Sequence, residues 1–261
     1  MSTPYLASIA IYPIKALDAV HVSEVQISPG GALAGDREFA LVDKNDRIIN
    51  GKRSAKVHQI RAEYNWPARR VTLGVQDERA FESFHLDQDQ PKLTQWFSSY
   101  FEQPVRLERN TDHGFPDDED ATGPTVCSTG TFKEIAEWYP GLTPEDVWRR
   151  FRVNLVIGGT EAFWEDRLCT REGQTVKFRI GDVGFEGTGP CQRCIVPMRD
   201  PHTGEPWPDF QKIFMDQRKA TLPKWACVER FDHFYRLTIN TRIPASPGKE
   251  LMIGRPIEVV K

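Results

Sequence analysis

The amino-acid sequence predicts a mainly β (α+β) fold, and three observations lead there. Short runs alternate apolar and polar residues with the two-residue period of a half-buried strand. Glycine, proline and Asn–Asp clusters punctuate those runs, and helical periodicity is confined to a few segments. Residues 5–13 and 20–28 read as two strands, joined across Tyr12-Pro13-Ile14-Lys15, a proline-stiffened bend with a lysine just beyond it. Pro29-Gly30-Gly31 is a turn, Gly35–Asp43 enters a further strand, and Lys44-Asn45-Asp46 is a hairpin tip whose return strand leads to Asn50-Gly51-Lys52-Arg53. Residues 60–64, 71–75 and 83–86 continue the pattern and 91–102 is helical, so the first 110 residues read as a mainly antiparallel sheet with one helix. The polar stretch 112–124 is a linker or a binding loop. Thr129 or Thr131 caps a helix that Pro140-Gly141 ends, and Thr143-Pro144-Glu145-Asp146 caps a short one through Trp148. Strands at 151–157, 176–180, 183–187, 193–198, 235–240 and 256–260 complete a β-rich second half.

Bulk properties narrow the function. A chain of 261 residues suits one large domain or two small ones, and 39% apolar with 27% charged residues is ordinary for a soluble protein. The formal charge of -3 argues against bulk nucleic-acid binding. Up to residue 122 there are 14 basic and 19 acidic residues, net -5; beyond it there are 20 and 18, net +2, which makes the second half the expected holder of an anionic ligand. Five scattered cysteines, an odd number, favour a reducing compartment. Neither a signal peptide nor an apolar run near membrane-spanning length is visible, so the expectation is a cytoplasmic protein with no membrane partner.

The chemistry centres on Cys191-Gln192-Arg193-Cys194 and the turn Asp200-Pro201-His202-Thr203-Gly204 that follows. A thiolate beside a guanidinium is suited to holding a soft metal. The pair leaves three readings open: a metal ligand, a redox pair, or two small buried residues at a turn. Zinc normally needs a second close pair, which Cys127, Cys169 and Cys227 do not supply. A strand-like Ile195-Val196-Pro197 weakens a thioredoxin-type site, which sits at a helix start. Lys15, Arg37, Lys52, Arg53, Arg152 and Arg193 fall at strand ends, and together they suggest a phosphate-bearing ligand. Thr122-Gly123 and Ser128-Thr129 are candidate donors to it, while no GxGxxG or GxxxxGK[ST] motif appears. His202 reads as an exposed turn residue or a titrating group near the site. Glu165-Asp166 reads equally as an acid/base pair or as carboxylates closing a loop.

These pieces resemble one family nearly end to end. Tyr12-Pro13-Ile14-Lys15, Gly35-Asp36-Arg37-Glu38-Phe39 and Lys52-Arg53 are similar to the N-terminal β domain that accompanies MOSC domains. Phe151–Ile157, Glu165-Asp166, Ile180-Gly181-Asp182-Val183, Cys191–Cys194 and Asp200–Gly204 are similar, in order, to the MOSC domain itself. Within that family the chain resembles the mitochondrial amidoxime-reducing component and its bacterial relatives, departing at Gly254-Arg255, where the family has Gly-Asp. The resemblance implies a MOSC β-barrel with a few helices over 123–261 and an antiparallel β companion domain over 1–122. It implies a molybdenum cofactor (Mo-molybdopterin), with Cys194 as the thiolate ligand and catalytic residue. By position, Lys15, Arg37, Lys52, Arg53, Thr122, Arg152, Asn154 and Arg193 would hold the pterin and its phosphate. The implied activity is reduction of small-molecule N-hydroxylated substrates. The alternative is a carrier of the cofactor or its sulfur. No cysteine-rich ferredoxin-like segment is present, so the implied electron donor is a separate ferredoxin-like or cytochrome b5-like protein.

Overall fold

The computed structural model describes residues 3–244 and 246–260. Its elements run β1 (Tyr5–Ile11), β2 (Val20–Val22), β3 (Glu24–Gln26), β4 (Phe39–Asp43), β5 (Ile60–Asn65), β6 (Arg70–Val75), β7 (Phe81–His85), α1 (Gln90–Phe101) and β8 (Val105–Arg109). They continue with β9 (Val126–Ser128), α2 (Thr129–Glu137), α3 (Pro144–Phe151), β10 (Leu155–Gly158), β11 (Val176–Ile180) and β12 (Val183–Gln192). The last are α4 (Phe210–Ala220), β13 (Arg236–Arg242), β14 (Glu250–Met252) and β15 (Ile257–Val259). The fold is mainly strand, as expected.

The largest sheet has the order β15-β11-β12-β13-β9-β10-β1-β2, antiparallel throughout except for the parallel β9–β10 pair. It curls back on itself. Tyr5 bridges Pro256, Leu6 N–H donates to Arg255 O at 2.9 Å, and Ile257 N–H donates to Pro4 O at 2.9 Å. The β15 end therefore meets β1 and closes a barrel, removing sheet edges that would otherwise seek partners. Leu6, Ile9 and Ile11 point inward from β1 to meet Leu155, Ile157, Phe178 and Phe185, and the last two rings stack at 5.0 Å.

A second apolar layer covers the outside of the barrel with α2, α3 and α4. Phe132, Ile135, Val147, Phe151, Phe210 and Phe214 fill it, and Tyr139 stacks on Phe210 at 4.5 Å. A third cluster belongs to the N-terminal part. The β4–β8 ribbon, the β5–β6–β7 sheet and α1 enclose it, with Leu93 and Phe97 four residues apart on the inner face of α1.

The division of the chain at 122/123 is not a division of the sheet, because β1 and β2 pair inside the barrel and β3 pairs with β14. The first 110 residues are thus shared between the barrel, two small sheets and a ribbon rather than forming one sheet. Several sequence readings are corrected. Residues 193–198 are not a strand: β12 ends at Gln192, and a one-turn 3-10 helix follows at Val196–Met198. Pro197 explains this, since it cannot donate to a ladder. Phe151 ends α3 rather than starting a strand, the return strand near Arg47–Asn50 is reduced to a Val42–Ile48 bridge, and Ser23 interrupts the 20–28 strand. Among the described residues no helix is long and apolar enough to cross a membrane.

Candidate functional site

A cavity of about 640 Å³ lies between the N-terminal part and the barrel. Its lining includes Lys15, Arg37, Lys52, Arg152, Arg193 and Cys194, residues far apart in sequence that were expected to share one ligand. Each is aimed by a local device.

Arg152 arrives through the end of α3. Thr143 and Asp146 form a reciprocal capping box at the start, Pro144 occupies the first turn, and Arg152 ends the helix in the left-handed region at φ 52. That turn directs its guanidinium across the Tyr12 ring, 4.2 Å from the centroid, and onto Leu17 O at 2.7 Å. Burial pulls its pKa down from the usual arginine value. Arg37 also sits at positive φ, 50, a conformation that costs a non-glycine residue about 1 kcal/mol. Its backbone N–H donates to Tyr12 O, and its side chain pairs with Asp36, whose other oxygen accepts from Tyr12 N–H. Burial works against the Arg37 charge, but Asp36 and Asp117 outweigh it and raise the pKa.

Asn154 does not line the cavity. It is fully buried beneath it, where Oδ1 accepts from Thr125 and, at 3.5 Å, from Arg37, while Nδ2 donates to Ala10 O. It is a support for Arg37. Thr122 is also outside the lining, its hydroxyl donating to Gly30 O, and Arg53 is exposed beyond the rim.

Arg193 lies behind the cysteines. One Nη donates to Phe151 O at 2.7 Å and the other approaches Cys191 Sγ at 3.3 Å and Thr238 Oγ1 at 3.4 Å. The guanidinium therefore serves Cys191, while Cys194 Sγ, half-buried on the cavity wall, makes no hydrogen bond among the described residues. A sulfur free of partners and open to a cavity is placed to accept a ligand bond. The loop carrying it is gripped by Arg150, which is 4% exposed, donates to Pro197 O and Arg199 O, and lies over the Trp207 and Phe210 rings. Asp200 closes the next turn by accepting from His202 N–H, Thr203 N–H and the Thr203 hydroxyl.

Sequence reasoning missed His58, Arg61 and Arg199, which line the same cavity. Arg61 spans the two halves: it donates to His58 O, to Pro201 O at 3.3 Å and to His202 Nδ1 at 2.9 Å. His202 is thus half-buried and held, not an exposed turn residue. Burial, followed by the Gly51 carbonyl in opposition and Arg152, Arg199 and Arg61 in support, holds the His58 pKa down at about 4. The Nε atoms of Arg61, Arg193 and Arg199 and His58 Nε2 are buried without hydrogen-bond partners. Glu165 and Asp166 lie elsewhere, in the barrel wall. Glu165 accepts from Cys127 Sγ and the Thr131 hydroxyl; Asp166 accepts from Arg218 at 2.5 Å, and burial pushes its pKa up to about 6 against the pull of Arg218. They close the structure rather than face the cavity.

Comparison with known proteins bears on this arrangement. The model of the MOSC N-terminal beta barrel domain matches residues 3–104, and that of the MOSC domain matches residues 127–236. The chain belongs to the MOSC family. Together the two matches span well over half of this MOSC protein and leave unmatched β8 with the loop that follows it, and residues 237–261 with β14 and β15. Among curated proteins it is similar to proteins named molybdenum cofactor sulfurase: 25% identical to that of Danio rerio over 83% of this chain and 29% of the relative, and 23% identical to that of Bos taurus over 80% and 28%. The chain spans under a third of the length of those relatives. Among solved structures it is similar to the YuaD protein from Bacillus subtilis (14% identity, 99% of this chain and 96% of that one, TM-score 0.39). YiiM from Geobacillus stearothermophilus is similar over 53% and 54% of the two chains, with 16% identity and a TM-score of 0.33.

Proposed function

We propose that this MOSC protein is a molybdenum-cofactor-dependent oxidoreductase that reduces N-hydroxylated compounds, with electrons from a separate donor protein. The observation that carries the reading is the meeting, in one cavity, of the unpartnered Cys194 sulfur with cations drawn from both halves of the chain.

The residues present suit a phosphate-bearing dithiolene cofactor. Cys194 offers a soft donor. Arg37, Arg152 and Arg193 offer planar guanidinium groups, and Lys52 adds a point charge at the mouth. Buried donors without partners, the Nε atoms of Arg61, Arg193 and Arg199, are what a polar ligand with many acceptors would satisfy. In that complex Cys194 would be the protein ligand to the metal, the arginines would hold the pterin phosphate, and Asn154 would fix Arg37 from below. When bound, the cofactor supplies the two-electron chemistry. The chain's own part is to ligate, to hold the anionic group and to shape a pocket for the substrate N–OH group, which two electrons and two protons convert to N–H and water.

A second reading, a carrier that passes the cofactor or its sulfur onward without turnover, is favoured by the name shared by the curated relatives. Turnover decides between them. Cofactor-loaded protein is assayed for conversion of benzamidoxime to benzamidine with an artificial reductant. Conversion that Cys194→Ser removes supports the reductase; cofactor-loaded protein that never turns over supports the carrier.

A further inference from the structure

Lys15 is an expected phosphate contact whose charge is already spent, on Asp117, as that of Arg37 is on Asp36. Lys15 is 6% exposed, and an ammonium group has three N–H donors. All three are engaged by one short segment: Phe115 O at 2.8 Å, Pro116 O at 3.0 Å and Asp117 Oδ1 at 3.0 Å. The Asp117 side chain is 60% exposed at the cavity mouth, yet it reaches inward to this buried lysine. It also acts on Arg37, where it is the second carboxylate sustaining the guanidinium charge after Asp36. A single carboxylate thus pairs with Lys15 and acts on Arg37, in the place an anionic ligand group would take.

Apart from its contacts with Lys15, the segment that carries Asp117 is fastened on both sides of that residue. On one side Phe115 N–H donates to Arg37 O, and Gly114, at φ +64, packs so close to Asp36 O that a Cβ there would approach to 2.5 Å. On the other side Asn240 donates to the Asp118 carboxylate, and Arg242 donates to Asp120 O. Among the described residues, the Asp117 side chain itself is held by direct contact with Lys15 alone. Rotating it outward would free an ammonium donor without disturbing either anchor.

We propose that Asp117 is an internal placeholder in the anion site, and that an incoming phosphate-class group enters by exchanging with its carboxylate on Lys15. The proposal rests on the anion-site part of the functional reading and deepens it. The exchange keeps Lys15 neutralised in both states, so a buried ammonium is never left bare. It also sets a threshold, because a monoanion gains little over the resident carboxylate whereas a phosphate dianion gains one charge.

The test uses the full chain without cofactor and inorganic phosphate as the probe, followed by calorimetric titration at low salt. Asp117→Asn is compared with Asp120→Asn, which makes the same charge change in the same segment without touching Lys15. The expected result is phosphate binding about three- to tenfold tighter in Asp117→Asn than in wild type, the range of releasing a half-exposed ion pair, with Asp120→Asn close to wild type. Adding Lys15→Gln to Asp117→Asn removes the gain. Equal affinities in the two single variants, or no phosphate binding by any of them, overturns the placeholder. A gain confined to Asp117→Asn in a protein that never retains molybdenum would sustain the exchange while removing the cofactor reading, so the two stand or fall separately. Thermal midpoints of each variant accompany the titration, and a variant that melts with the wild type reports on binding alone.

Discussion

Cys191 and Cys194 lie three residues apart and share one cavity, yet their surroundings differ. Arg193 donates to Cys191, and nothing donates to Cys194 among the described residues. A ligand to an external centre needs a free lone pair, so the proposed activity is expected to depend on the second sulfur. Cys194→Ser removes turnover, whereas Cys191→Ser, which keeps a small acceptor for Arg193, retains most of it; equal loss from both would point to a disulfide role. His58 offers a pH test. Its folded-state pKa, about 4, lies below the ordinary histidine value of 6.5, so the unfolded chain takes up the proton first. The stability it forfeits is absent above pH 6.5, grows as pH falls through that value and is complete below about 4. Chemical denaturation of wild type and His58→Gln across that window therefore shows the variant relatively better off at acid pH, by roughly 2 kcal/mol after allowing for part-exposure. Curves that stay parallel contradict the assignment. At this scale the sequence displayed Cys194 and the strand-end cations, because residue type and motif order are local. It did not display His58, Arg61 or Arg199, which meet in the cavity only once the chain has folded, Arg61 reaching Pro201 and His202 across some 140 residues. Nor did it separate the lining residues from Asn154 and Thr122, since burial beneath or beside a cavity leaves no mark on a motif.

The elements matter here through the way they end. α3 delivers Arg152 by stopping in the left-handed region, and β12 delivers Cys194 by stopping at Gln192. The helix was legible from Thr143, Pro144 and Asp146, which cap it by mechanisms that reside in a few consecutive residues. Its last turn was not, because Phe151 and Val153 read equally as strand. The segment after Cys194 was misread as a strand because Ile195, Val196 and Met198 are apolar, whereas its path is dictated by Pro197 and by the distant Arg150. That dependence is testable. Arg150→Met keeps packing against Trp207 but strips two carbonyls of a donor, and is expected to cost about 2 to 4 kcal/mol in denaturant unfolding. The same variant should retain less cofactor than wild type even where it is folded. Unchanged stability would show that the loop holds itself.

For the whole molecule, the decisive fact is that the chain's beginning completes its second half. β1 pairs with β10, and its first residues bridge Pro256 to close the barrel, bringing Lys15 and Arg37 over the barrel's cysteine loop. Alternation and turns made the β class legible, but no single-sequence pattern says that a strand pairs with another a hundred and fifty residues away. A fragment of residues 123–261 lacks both the wall strand and Leu6, Ile9 and Ile11 from the interior, and so is expected to give poorly dispersed amide resonances and no cooperative melt. Adding residues 1–122 in trans should restore both. A fragment that folds alone would mean that β1 is dispensable.

The most direct measurement is the molybdenum and pterin content of protein purified from a host that makes the cofactor, wild type beside Cys194→Ser and Arg152→Gln. Near-stoichiometric molybdenum in the wild type, lost with Cys194→Ser and diminished with Arg152→Gln, is the predicted result. Wild-type protein that emerges free of molybdenum and pterin from a competent host, or a Cys194→Ser variant that carries as much as wild type, would contradict the account.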